Sequence, residues 1–227
     1  MNKYITELLG TFFLVFTIGC TVLGNGAGAL APLAIGSALV VMVFAGGHIS
    51  GAHYNPAVTL GVWMRGKCET KDVPGYMISQ IVGAMLAASA VKYLKAGAAI
   101  TPISVATVPA LVAEFLFTFA LVFVVLNVAT AKGTSGNSFY GLAIGFTVMT
   151  GAFAVGNISG GVFNPAVAVG ISMMGLSAWA NIWIYLLANF AAGAAAALAF
   201  GVVNPGENMG RVALRQSRAV EEVSADR

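Results

Sequence analysis

The chain's 227 residues include eleven Lys and Arg and eight Asp and Glu, so 8% are charged against 59% hydrophobic, and the formal net charge is +3. Soluble domains average about 25% charged residues. Here no Asp, Glu, Lys or Arg occurs between Leu8 and Met64, nor between Gly133 and Gly206. That excludes a soluble domain, a nucleic-acid binder and a disordered tail, and leaves an integral membrane protein of several spans.

About 20 apolar residues cross the hydrocarbon core as a helix. Taken in chain order, six segments meet or approach that length: 4–23, 32–48, 74–94, 108–130, 139–155 and 180–203. The first is read as a retained span, because Lys3 leads into apolar sequence with no small-residue cleavage site. Pro32, Pro74 and Pro109 sit at helix starts, where a missing N–H costs nothing. The runs are continuous and rich in Ala, Gly and Leu, so they predict helices and not the alternating ten-residue strands of a barrel. Residues 204–227 form a short charged tail, read as a solvated segment without a role of its own, the alternative being that its basic side chains touch anionic lipid headgroups. Cys20 and Cys68 have no metal-site or disulfide spacing, and no cofactor motif or catalytic cluster accompanies them.

With the N-terminus inside, the inner side receives Lys3, Arg65, Lys67, Lys71, Lys132, Arg211, Arg215, Arg218 and Arg227. The outer side receives Lys92 and Lys95. This asymmetry predicts a multi-pass protein of the cell membrane with both termini cytoplasmic.

The chain also repeats itself. Glu7-Leu-Leu-Gly-Thr-Phe-Phe-Leu-Val-Phe16 returns as Glu114-Phe-Leu-Phe-Thr-Phe-Ala-Leu-Val-Phe123, and Ile49-Ser-Gly-Ala-His-Tyr-Asn-Pro-Ala-Val58 returns as Ile158-Ser-Gly-Gly-Val-Phe-Asn-Pro-Ala-Val167. Copies of about 3–95 and 108–203 each hold three spans. An odd number turns the second copy upside down, within one membrane domain. Each copy also holds an Asn-Pro-Ala segment too short to span, 55–64 and 164–174, about 15 Å at helical rise. Asn at the N-cap and Pro at N1 make good helix starts. The Gly-rich approaches (Gly46, Gly47 and Gly51; Gly156, Gly160 and Gly161) are read as non-helical. Two half-helices entering from opposite sides would aim their positive N-termini at one midplane spot.

Two Asn-Pro-Ala half-helices in a six-span inverted repeat resemble the aquaporin (major intrinsic protein) family, over about residues 3–203. The resemblance implies an all-α, six-span bundle with two re-entrant half-helices, a pore in each protomer and a homotetramer. It implies passage of water and small neutral solutes without enzymatic chemistry. Pore positions carried over are Asn55, Pro56, Ala57, Asn164, Pro165 and Ala166, the two asparagines donating N–H groups at mid-pore. Backbone carbonyls of the approaches would add a ladder of acceptors.

One departure stands out. The family usually places Arg directly after the second motif, and here Val167 stands there. Ungapped counting puts the other three members of the narrow outer filter at Ile35, Ala152 and Gly161. The expected ring is therefore uncharged and mostly small, and admits water together with glycerol, urea, ammonia or dissolved gases. Glu7 and Glu114 are the acids inside the spans, at equivalent repeat positions. They are expected to be buried caps for the re-entrant backbone. The alternative is an inverted-repeat secondary transporter that uses the pair for coupling. His48 is expected as a buried polar residue packed at the cytoplasmic vestibule.

Overall fold

A computed structural model describes residues 1–24, 26–207 and 209; the tail arginines from Arg211 onward lie outside the described residues. Eight α-helices and no strand occur among them: α1 Asn2–Val22, α2 Ala31–Ser50, α3 Pro56–Met64, α4 Val73–Leu94, α5 Thr107–Thr130, α6 Tyr140–Ser159, α7 Pro165–Met173 and α8 Ile182–Val203. Six of these are long and apolar enough to cross a bilayer. At 1.5 Å per residue, 20 to 24 residues reach about 30–36 Å. Leu9, Phe13, Val41, Phe44, Leu116, Phe153 and Leu187 lie exposed on their outer surfaces. Such side chains belong against lipid tails, where no hydrophobic penalty attaches to them.

The two copies interlock. α1 packs on α4 and α2, while α5 packs on α8 and α6, and α2 meets α6 across the repeat boundary. Each half-helix lies against a long helix of the other copy, α3 on α8 and α7 on α4. Small residues let these backbones approach closely, which is how helices associate where lipid removes the hydrophobic drive. A Cβ added at Gly36 would sit 2.9 Å from the Gly145 carbonyl oxygen, and one at Gly145 would sit 2.6 Å from that of Gly36. At Gly83 the obstacle is the Leu8 carbonyl, 2.4 Å away, and at Gly193 it is that of Ala57, 2.7 Å away.

The approach segments are shorter than the glycine pattern suggests. Gly46, Gly47 and Gly156 lie inside α2 and α6, which run on to Ser50 and Ser159. Gly46 is small for a packing reason: a Cβ there would fall 1.9 Å from the Tyr54 hydroxyl. The actual stops are Gly51 and Gly160, left-handed C-caps at φ 87° and 94°, a conformation only glycine adopts freely. What remains outside the helices is 51–55 and 160–164.

Candidate pore and filter

Each non-helical approach is clamped by a buried carboxylate. On α1, Glu7 is fully buried. Its Oε1 accepts from Ser50 Oγ (2.7 Å) and the His53 main-chain N–H (2.9 Å). Its Oε2 accepts from the Tyr54 N–H (2.6 Å) and Gln80 Nε2 (2.7 Å). On α5, Glu114 repeats the arrangement with Ser159 Oγ (2.6 Å), the Val162 N–H (2.9 Å) and the Phe163 N–H (2.7 Å). Tyr76 and Tyr185 then donate to the carbonyls of Ser50 and Ser159, at 2.7 and 2.9 Å.

The clamps hold a backbone that would not stay put unaided. Ala52, Tyr54 and Phe163 have φ of 52°, 50° and 49°. A non-glycine residue in that region costs about 1–2 kcal/mol. Charge-assisted bonds to two successive N–H groups can offset this. Glu7 has all four of its acceptor positions filled by donors, two of them main-chain, which leaves no place for a coupling ion. The geometry gives the transporter alternative no support.

The half-helices start as the sequence indicates. Asn55 and Asn164 are the N-caps of α3 and α7, with Pro56 and Pro165 at N1. Their Oδ1 atoms accept from Ala57 N (2.8 Å) and Ala166 N (2.9 Å). Their Nδ2 atoms cross the symmetry axis: Asn55 donates to the Phe163 carbonyl (2.8 Å) and Asn164 to that of Tyr54 (2.9 Å). A primary amide carries two hydrogens. One is used in the crossing bond and fixes the rotamer, and the second takes no part in that bond.

Both asparagines line a cavity of about 80 Å³, room for a short file of waters. Ile35 of α2, Ala152 of α6, Gly161 of the second approach and Val167 of α7 line the same cavity. All four lie toward the end opposite the start of α1 and the end of α8. No charged side chain lines it among the described residues. The Tyr54 hydroxyl is turned away to the Met42 carbonyl (2.9 Å), and the Phe163 ring packs on Phe117 (centroids 5.5 Å apart). Tyr54 and Phe163 therefore offer the cavity main chain rather than side chain.

A wider cavity of about 780 Å³ opens on the face where α1 begins and α8 ends, the terminal face. His53, Val125 and Ile144 border both spaces and mark the passage between them. His48 lines this vestibule but is exposed, contrary to the expectation of a buried residue. It occupies the last turn of α2 on the side that faces this open cavity, while Ser50 in the same turn is buried. The buried histidine is His53, whose Nδ1 lies 3.1 Å from Thr59 Oγ1.

Sequence reasoning missed Ser50, Tyr76 and Gln80 with their partners Ser159, Tyr185 and Asn189. A signal existed: all three pairs lie at the same 109-residue offset as the Asn-Pro-Ala motifs.

Six spans, two half-helices meeting N-terminus to N-terminus, and an uncharged cavity past both caps define a membrane channel. The major intrinsic protein family model matches residues 1–200, and the chain belongs to that family. Among curated relatives, Aquaporin NIP1-4 of Oryza sativa subsp. japonica is 38% identical over 214 residues, covering 89% of this chain and 77% of that protein. The glycerol uptake facilitator protein-like 6 of Lactiplantibacillus plantarum is 39% identical over 198 residues, covering 83% and 91%. Among solved structures, the aquaglyceroporin from Plasmodium falciparum superposes with a TM-score of 0.75 at 23% identity, covering 90% of this chain and 97% of that one, a likeness of fold. The chain is thus a passive channel for water and small solutes, not an enzyme.

Proposed function

We propose that this channel has relaxed selectivity: it conducts water and, through a wide uncharged filter of Ile35, Ala152, Gly161 and Val167, neutral solutes such as glycerol, urea, ammonia or dissolved gases. The observation that carries this reading is that these four positions line one cavity with Asn55 and Asn164, and none bears a charge. A permeating molecule accepts hydrogen bonds from the two free amide hydrogens at mid-pore. There it loses continuity with its neighbours, while the converging positive ends of α3 and α7 oppose cations. The name of the Lactiplantibacillus plantarum relative, a glycerol uptake facilitator protein-like chain, agrees with a solute larger than water.

The decisive experiment is stopped-flow light scattering on proteoliposomes under water, glycerol and urea gradients, comparing wild type with Val167→Arg. An arginine at 167 narrows the ring and adds a charge. Glycerol and urea permeability should fall by roughly an order of magnitude, the scale on which a pocket discriminates by size, with a smaller fall for water. Equal permeabilities in the two proteins would place the filter elsewhere.

The chain's wider organisation follows the same reading: one membrane domain of two inverted copies, about 3–95 and 108–203, with a cytoplasmic tail at 204–227. Both termini lie on the cytoplasmic side of the cell membrane, supported by Lys3, Arg65, Lys67, Lys71 and Lys132 on one face against Lys92 and Lys95 on the other. Assembly is as a homotetramer with one pore per protomer. Cross-linking in membranes tests the assembly, and accessibility of an engineered tail cysteine tests the sidedness.

A further inference from the structure

The cations on the terminal face do not all have the same surroundings. Lys3 pairs with Asp72, Lys71 with Glu69, and Arg65 with Glu207. Lys67 and Lys132 make no such ion pair among the described residues. The Lys132 ammonium donates to the Gly206 carbonyl (3.3 Å), and its main-chain N–H takes the Glu207 carboxylate, whose other oxygen is held by Arg65. Among the described residues these two lysines are the Lys, Arg, Asp or Glu side chains that line the vestibule, and no carboxylate lines it. Arg65 sits at the C-cap of α3, where it offsets the negative end of a half-helix that would otherwise draw cations inward.

We propose that Lys67 and Lys132 form an electrostatic barrier to cations in the inner vestibule, supplying at the mouth the fixed positive charge that Val167 does not supply at the filter. The inference rests on the channel reading above. A cleft with low-dielectric walls and charge of one sign focuses its potential along the axis. Every molecule entering from this face crosses that potential before it reaches His53, Val125 and Ile144. Neutral solutes cross it without penalty. Protons and small organic cations meet a raised barrier, and small anions are concentrated at the mouth yet find no charged group farther in.

Both lysines are exposed, so their substitution leaves packing intact. The test compares wild type with Lys67→Gln/Lys132→Gln and Lys67→Glu/Lys132→Glu in proteoliposomes, reading water flux together with proton leak from a trapped pH dye. In about 10 mM salt, where screening reaches only beyond ~30 Å, the neutral pair should raise leak roughly three- to tenfold, and the reversed pair further. In 1 M salt, where the screening length is about 3 Å, the three proteins should converge. Lys67→Arg/Lys132→Arg should behave as wild type.

A second readout uses Ser135→Cys in a Cys20→Ser/Cys68→Ser background, since Ser135 lines the vestibule. Its rate with an anionic over a cationic methanethiosulfonate reagent should drop severalfold when the lysines are neutralised. Normal water flux with unchanged leak and unchanged reagent ratio in both lysine variants overturns the barrier. Absent water flux in wild type overturns the channel reading, and the barrier with it.

Discussion

Glu7 accepts from four donors at once, and two of them are main-chain N–H groups that cannot turn away. Glu7→Gln would place an amide NH2 against either the His53 N–H or the Tyr54 N–H, whichever way it is oriented. Gln80 could rotate to present its Oε1, which has no partner now, but the main-chain clash would persist. A buried donor facing a donor costs about 1–3 kcal/mol, and loss of a charge-assisted bond adds to that. We expect Glu7→Gln to lower the thermal midpoint in detergent and to cut water permeability per incorporated protein severalfold, because the left-handed turn at Ala52 and Tyr54 relaxes. Glu114→Gln should act in the same direction, since it faces the Val162 and Phe163 N–H groups in the same way. Thermal unfolding and osmotic flux measured on both variants check this. Equal, wild-type values for both would mean that the carboxylates merely fill space. At this scale the sequence carried the positions of both acids but not their partners. Gln80 lies 73 residues from Glu7, and such a pairing has no local signature; only the repeat offset betrays it. His48 and His53 show the same limit, since burial depends on neighbours that only the folded chain brings together.

Helix identity was far more legible than helix limits. Proline and asparagine placed the start of α3 and α7 to within a residue, because their backbone chemistry is local. The ends of α2 and α6 were misread at Gly46, Gly47 and Gly156: Gly46 and Gly47 are kept small for Tyr54 and Tyr140, which looks the same in sequence as a glycine kept for a turn, while nothing lies within 4 Å of a Cβ added at Gly156. The Gly36–Gly145 contact is of the first kind, and it joins the two helices that carry Ile35 and Ala152. A branched side chain there meets main chain, which cannot yield, so α2 and α6 must separate. Overpacking of this kind costs about 1–3 kcal/mol. Gly145→Val should therefore lower the thermal midpoint and also change the glycerol-to-water permeability ratio. Gly133→Val, in a loop where an added Cβ meets nothing within 4 Å, should do neither. A destabilised Gly145→Val with an unaltered ratio would show that the ring is not set by the α2–α6 spacing.

On the scale of the whole molecule, two clasps tie distant parts of the chain together on the terminal face. Asp72, just before α4, accepts from Lys3 and from the Tyr4 hydroxyl (2.7 Å) at the start of α1. Glu207, just after α8, joins Arg65 (2.6 Å) to the Lys132 N–H (2.5 Å) beyond α5. The Lys3 ammonium, followed by the Tyr4 hydroxyl, holds the Asp72 carboxyl below its ordinary 3.8. The Lys132 N–H is the first cause holding Glu207 below 4.5, with the nearby Arg65 and Lys132 charges assisting. A carboxyl depressed in the folded state contributes stability that is fully present above its unfolded value and lost as pH falls through its folded value. The thermal midpoint in detergent should accordingly show no loss from these groups between pH 7 and about 5, then fall below pH 4 as both clasps protonate. Asp72→Asn/Glu207→Gln should start lower at neutral pH and follow a shallower acid limb, the two curves approaching each other in acid. Parallel curves across the whole range would mean that neither clasp contributes to stability through its charge. The terminal face would then be held by α1–α4 and α5–α8 packing alone.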